Sequence, residues 1–336
     1  MFRLSAILSL AALPAFADAP KVVVDIAPVH ALVSQVMAGV GTPDLLLEQG
    51  SDPHSVQLRP SQARMLSDAD LVVWVGPELS PWLARALDGL GADEQIVLMD
   101  HPATTLRSFV RPTATEEEHD DHAHEHDDHA HDESGHDHED DHGEGGEEDH
   151  AHADEHGDDS HEHGDDDPHL WTSIDNARAW LPAFAEDLAA RDPENAATYR
   201  ANAEQAVAGL DELAASIEAR LAPHQGAEIV TFHAAWGYFA DRFGFEIAGT
   251  VRPGDASTPS AAALAGLREI ISEHGVECAF AEPAYDPALL NAIAGETGLR
   301  IGLLDPTGAL QEIGPGHYAA TLTAAADAIA GCLAQD

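Results

Sequence analysis

Basic side chains are scarce in this sequence: 15 Lys and Arg stand against 61 Asp and Glu, for a formal charge of −46. A polyanion of that strength repels phosphate backbones and anionic lipid, so nucleic acid and anionic membrane are excluded as partners and cations are favoured. Cysteine is nearly absent. The two that occur, Cys278 and Cys332, are not spaced as a metal pair, and in an oxidising compartment the simplest reading is one structural disulfide. Closing a loop of that size stabilises by roughly 4 kcal/mol in the chain-entropy account. After the N-terminus no apolar run reaches the length that spans a bilayer. Nucleophile elbows and phosphate-binding loops are also missing, which leaves little to build an enzyme on.

The N-terminus itself is apolar but short. Arg3 supplies a positive start, Leu4 to Leu13 an apolar stretch, and Ala15-Phe16-Ala17 a small-x-small cleavage site. Residues 1–17 are therefore expected to be a secretory signal cut after Ala17, and the mature chain to be exported, with a bacterial periplasm as its location.

The 22 His are distributed very unevenly. Fourteen of them lie between Glu116 and Asp167: His119, His122, His124, His126, His129, His131, His136, His138, His142, His150, His152, His156, His161 and His163. The same tract holds 26 of the 61 acids and no Lys, Arg or large apolar residue. It cannot bury a core, so it cannot offset the entropy of ordering and is expected to be a disordered insertion. Imidazoles interleaved with carboxylates are ligands for borderline divalent ions, Zn²⁺ above all, so weak metal capture is the expected role. The alternative is a merely solvated acidic run.

Around this insertion the pattern alternates between strands and helices. KVVVDI, DLLL, DLVVWVG and QIVLMD read as strands, with helices over Pro28 to Ala38, after Pro60, and from Pro81 with Ser80 as N-cap. Helix-forming sequence then runs from Asn176 to Ala222, broken near Asp192-Pro193. Its second part repeats Val207, Leu210, Ala214, Ile217 and Leu221 on one face. AEIVTFH, FEIAGTV, VECAFAEP and RIGLLDP follow as strands with helices between and after them. The expected fold class is α/β: two similar lobes, each a roughly four-stranded, mainly parallel sheet with flanking helices, joined by one long rigid helix. The expected boundaries are 18–115 and 168–193 for the N-terminal lobe, 116–167 for the insertion, 194–222 for the linking helix and 223–336 for the C-terminal lobe. Ligands of open α/β sheets sit beyond the carboxyl ends of strands, where His233 and Asp305 are placed.

DPHSVQLRPSQARMLSDADLVVWVGPELSPWL, the His/Asp insertion followed by HLWTS, VTFHAAWGYFADRFGF, CAFAEP and LLDPTG occur in that order. Together they resemble the cluster nine (A-I) family of exported metal-binding components of ABC transporters, and within it the zinc-specific, ZnuA-like members. The resemblance covers nearly the whole mature chain. It implies a periplasmic protein that captures Zn²⁺ between the lobes and delivers it to a membrane permease, acting as a monomer and not as an enzyme. It also implies His54, His169 and His233 as ligands, with Asp305 or water as the fourth. Three neutral imidazoles suit Zn²⁺, whereas manganese-type relatives are expected to carry a carboxylate where His233 stands. Some zinc-type relatives place Glu just before the first His; this chain has Pro53 there. Alternatives are a manganese- or iron-type protein of the same family, and a free-standing periplasmic zinc buffer or adhesin. A zinc hydrolase would need a general base, for which Glu282 is the nearby acid besides Asp305. Of the remaining histidines, His30 and His101 are placed near the cleft, while His224, His274 and His317 fall at helix ends, where a surface role is expected.

Overall fold

Three consecutive valines, Val22–Val24, form β1, and their side chains go to opposite faces of a sheet: Val22 and Val24 enter one core, Val23 another. The computed structural model describes residues 19–92, 94–109, 166–254 and 256–334. The expected signal segment 1–17 and all 14 His of the insertion lie outside these residues. By internal contacts the chain divides into two units, and the second, Thr113–Glu162, lies wholly outside them.

The first lobe runs β1, α1 (Ala27–Val36), β2 (Asp44–Leu45), α2 (Pro60–Ser67), β3 (Leu71–Trp74), α3 (Pro81–Leu90) and β4 (Gln95–Val97). Its four strands are parallel in the order β2-β1-β3-β4. Two helices follow, α4 (Ile174–Arg191) and α5 (Ala196–Leu221), the latter about 39 Å long at 1.5 Å per residue. The second lobe runs β5 (Glu228–His233), α6 (Gly237–Phe243), β6 (Glu246–Arg252), α7 (Ala261–His274), β7 (Cys278–Ala281), α8 (Ala288–Thr297), β8 (Arg300–Leu303) and α9 (His317–Leu333). Its order, β6-β5-β7-β8, again all parallel, repeats the first. The α/β architecture of two like lobes joined by a long helix is the expected one.

Period-two alternation assigns the layers. Val72 and Trp74 of β3 pack outward under α2 and α3 with Leu66, Leu83 and Leu87. Val230 and Phe232 of β5 do the same under α7 and α8. The opposite faces, with Val73, Ile229, Cys278 and Phe280, share one continuous core with α1, α4, α5, α6 and α9. The lobes are thus joined by common apolar packing as well as by a helix. Side chains reinforce this: Gln35 Nε2 donates to the Pro315 carbonyl (2.8 Å), and Asn202 on α5 donates to the carbonyls of Val36 and Ala38 (2.9 and 2.8 Å). Cys278 and Cys332 form the expected disulfide, with Cα atoms 6.1 Å apart, tying β7 to α9.

Two local expectations change. Composition assigns Asp166 and Asp167 to the insertion, yet Asp166 forms an antiparallel bridge with Ser108 and Asp167 is fully buried. Position at a helix end suggests a surface His317, but the segment before α9 folds over it, and the buried ring bonds the Gly308 carbonyl at 2.9 Å.

Candidate metal centre

The loop after β2 carries Asp52-Pro53-His54. The Asp52 carboxylate accepts the His54 backbone N–H (3.0 Å), an Asx turn in which the side chain replaces a backbone acceptor. The Pro53 carbonyl is clamped by two donors at the start of α3, Ser80 Oγ (3.1 Å) and Trp82 Nε1 (2.8 Å). Ser80 stands at the expected N-cap position, but its hydroxyl is turned to Pro53 and makes no cap bond. This clamp explains why the SPWL stretch belongs with the His54 loop.

The second imidazole sits in a turn of the same sequence, Asp167-Pro168-His169. Asp167 Oδ1 accepts both the His169 backbone N–H (3.0 Å) and its ring Nδ1 (2.8 Å). The other oxygen, Oδ2, accepts from Arg107 Nη1 (3.3 Å). Several bonds fasten this segment to the second lobe. Tyr238 Oη donates to the Asp167 carbonyl (2.9 Å), Trp171 Nε1 to the Pro306 carbonyl (2.6 Å), and Thr172 Oγ1 to the Ala235 carbonyl (3.2 Å). Arg107 also reaches Asp241 on α6 (2.9 Å), crossing so close to Gly237 that any Cβ there would collide with the guanidinium.

The third imidazole, His233, ends β5. Glu282, just past the adjacent strand β7, accepts the His233 backbone N–H (3.1 Å) and its Nδ1 (2.7 Å). The pair occupies the point where strand order reverses, the place an open α/β sheet offers a ligand.

The three rings meet at Nε2. His169 Nε2 is 3.3 Å from that of His54 and 3.1 Å from that of His233. A tetrahedral ion held at about 2.0–2.1 Å would set its nitrogens about 3.3–3.4 Å apart. Carboxylates on Nδ1 of His169 and His233 hold the proton there and leave Nε2 with a free lone pair, the arrangement that metal-binding imidazoles use. Burial, with repulsion from the other two rings, pushes the His54 pKa down to about 2. Burial also lowers that of His169 against the pull of Asp167, whereas at His233 burial is outweighed by Glu282 and the pKa rises. Among the described residues this is the one group of His, Cys, Asp or Glu whose donor atoms converge closely enough to hold a metal ion.

Asp305 lines the same small cavity, of about 20 Å³, together with Pro53, Trp171 and Tyr285. Its oxygens accept from Thr307 Oγ1 and the Leu310 amide (both 3.2 Å), and it stands outside the three-ring group. That volume admits an ion or a water. His30 is buried in α1, bonded to the Pro43 carbonyl (2.9 Å), and His101 accepts from the Ala103 amide (3.2 Å); neither joins the rings. His274 ends α7 beside Glu228, matching the expected terminal role. Sequence reasoning missed Asp167 and Tyr285, and noticed Glu282 only as a possible base. The repeated Asp-Pro-His at 52–54 and 167–169 is the signal that marks Asp167.

The family model described as zinc-uptake complex component A, periplasmic, matches residues 22–332. The high-affinity zinc uptake system protein ZnuA of Paracoccus denitrificans is 50% identical over 338 residues, which cover 99% of this chain and 98% of that protein. The protein of that name from Brucella suis is 36% identical, covering 94% of this chain and 92% of its own. The crystal structure of a zinc-bound ZnuA deletion mutant superposes with a TM-score of 0.70 at 22% identity, over 95% of this chain and all of that one, a likeness of fold.

Proposed function

Because the chain belongs to the family of periplasmic A components of zinc-uptake complexes, we propose that it captures one Zn²⁺ on His54, His169 and His233 and delivers it to an ABC permease for import. It is a periplasmic zinc-binding component of a transport system and not an enzyme. The observation that carries the ligand assignment is the convergence of three Nε2 atoms, at 3.1 and 3.3 Å, on a cavity of ion size. An all-nitrogen triad favours zinc over manganese or iron, whose harder ions want oxygen. Asp305, already on the cavity wall, or a water completes the tetrahedron. The exported form is a monomer that starts at Asp18, after cleavage of the signal at Ala17. The His-rich tract acts as a low-affinity collector, raising the zinc concentration available to the tight site.

Replacing any one of the three His by Ala removes a donor that water must replace, and zinc affinity in a chelator-competition assay should fall at least about tenfold. Parental affinity in all three variants would place the site elsewhere.

A further inference from the structure

The loop that carries His54 begins with a tight turn of its own. The Ser51 amide donates to the Glu48 carbonyl (3.0 Å), and Gly50 takes a φ of +81°, as the third residue of a type II turn requires. Gln49 stands at the tip of this turn. Ser51, at its end, lines the same cavity as the three rings. Within the first lobe the loop is held by the clamp on Pro53 and by Arg59, whose Nη2 donates to Glu48 Oε2 (3.0 Å).

The segment after β8 forms another part of the cavity wall, and Asp305 shapes it. Its carboxylate accepts from Thr307 Oγ1 and the Leu310 amide, and its carbonyl accepts the Gly308 amide (3.3 Å). Trp171, two residues past His169, bonds the Pro306 carbonyl, and His317 of α9 bonds that of Gly308. Gln49 reaches the same segment from the first lobe. Its Nε2 donates to the carbonyls of Gly308 (3.3 Å) and Gln311, using both amide hydrogens on one target. Gly50 lies beside it, where a Cβ would stand 3.6 Å from the Ala309 methyl, an ordinary packing distance. His169 and His233 are wired into the second lobe by bonds of their own, through Tyr238, Trp171 and Thr172 and through Glu282. We propose that Gln49 is a positioning residue that seats the His54 loop on the 306–311 segment, closes the third imidazole over the His169–His233 pair, and so sets the rate at which zinc leaves. The proposal rests on the reading of the three imidazoles as the zinc site.

Gln49→Ala removes both bonds and leaves the turn and the Pro53 clamp in place. Gln49→Glu sets a carboxylate against two carbonyl oxygens. In stopped-flow measurements with a zinc chelator, Gln49→Ala should release zinc about fivefold faster, the range of two exposed neutral hydrogen bonds, and Gln49→Glu at least as fast, both with the parental association rate. In a His54→Ala background, Gln49→Ala should leave the release rate where His54→Ala alone puts it, because the amide acts through that loop. Release at the parental rate from either Gln49 variant overturns the proposal. An equal acceleration in the His54→Ala background also overturns it, since the amide would then serve the fold and not the third ligand. Parental zinc affinity in His54→Ala itself would instead overturn the site reading, and the proposal with it.

Discussion

Two turns with the same three residues, Asp52-Pro53-His54 and Asp167-Pro168-His169, make the same first bond, Asp Oδ1 to the His backbone N–H at 3.0 Å. There the likeness stops. At 167–169 the carboxylate is fully buried, neutralised by Arg107, and turned onto the ring it precedes. At 52–54 both Asp and His are half-buried, and the carboxylate bonds the His54 backbone rather than its ring. A short motif sets a local backbone shape, and its surroundings decide whether that shape yields a preorganised ligand or an adjustable one. The centre reads as a rigid pair, His169 and His233, completed by a third ring on a separate loop.

The widest separation should come from the ligands themselves. His169→Ala and His233→Ala should each lower zinc affinity about a hundredfold or more, and His54→Ala closer to tenfold, because the first two remove preorganised donors. Competition titrations that rank His54 first would reverse the comparison.

The carboxylates come next. Asp167→Ala strands the buried His169 ring and takes from Arg107 its buried partner, leaving it Asp241, so about 3 kcal/mol of stability and roughly tenfold to a hundredfold in affinity should be lost together. Asp52→Ala should cost less than about 1 kcal/mol, with its effect confined to zinc binding. Denaturant midpoints of the two metal-free variants measure this directly, and equal losses would erase the distinction.

Acid should divide the rings again. Composition alone suggests three protons competing with zinc. With the pKa values of His54 and His169 lowered and that of His233 raised, His233 is the ring whose second proton competes with zinc at the highest pH. Affinity should therefore rise about tenfold per pH unit up to the His233 value and then level off, a slope of one in a plot of log affinity against pH. A slope near three would show all three rings titrating together. Stability of the metal-free protein carries both signs. The two lowered groups destabilise as pH falls below about 6.5, where the unfolded chain takes up protons that the fold refuses. His233 stabilises below that value, and its contribution fades as pH rises through its folded pKa.

The smallest effect on the tight site should come from the largest deletion. Removing Thr113–Glu162, the second unit, leaves Asp166 and Asp167 in place. Tight-site affinity should stay within about twofold while several weak zinc equivalents disappear from calorimetric titrations. Unchanged stoichiometry would end the collector proposal.

Much of this was legible from residues alone. Alternating β-branched runs such as Val22–Val24, Pro at helix starts, and the helical repeat through Leu210, Ile217 and Leu221 specify elements locally, since each depends on the chain's own period. The order of those elements implies parallel sheets, two cysteines leave one pairing, and the resemblance carried by the His54, His169 and His233 stretches pointed to zinc. What the linear chain could not convey are relations between side chains far apart in sequence. Asp167 reads as the last of a run of acids until Arg107 and Tyr238 are seen to enclose it. Ser80 reads as a helix cap until its hydroxyl is seen to donate to the Pro53 carbonyl. Tyr285 has no local pattern, because the rings it packs on, Phe232 and His233, lie on β5. Local sequence determines which backbone shape a segment prefers. Only tertiary packing decides which carboxylate loses its water and must therefore find an imidazole or a guanidinium to bond.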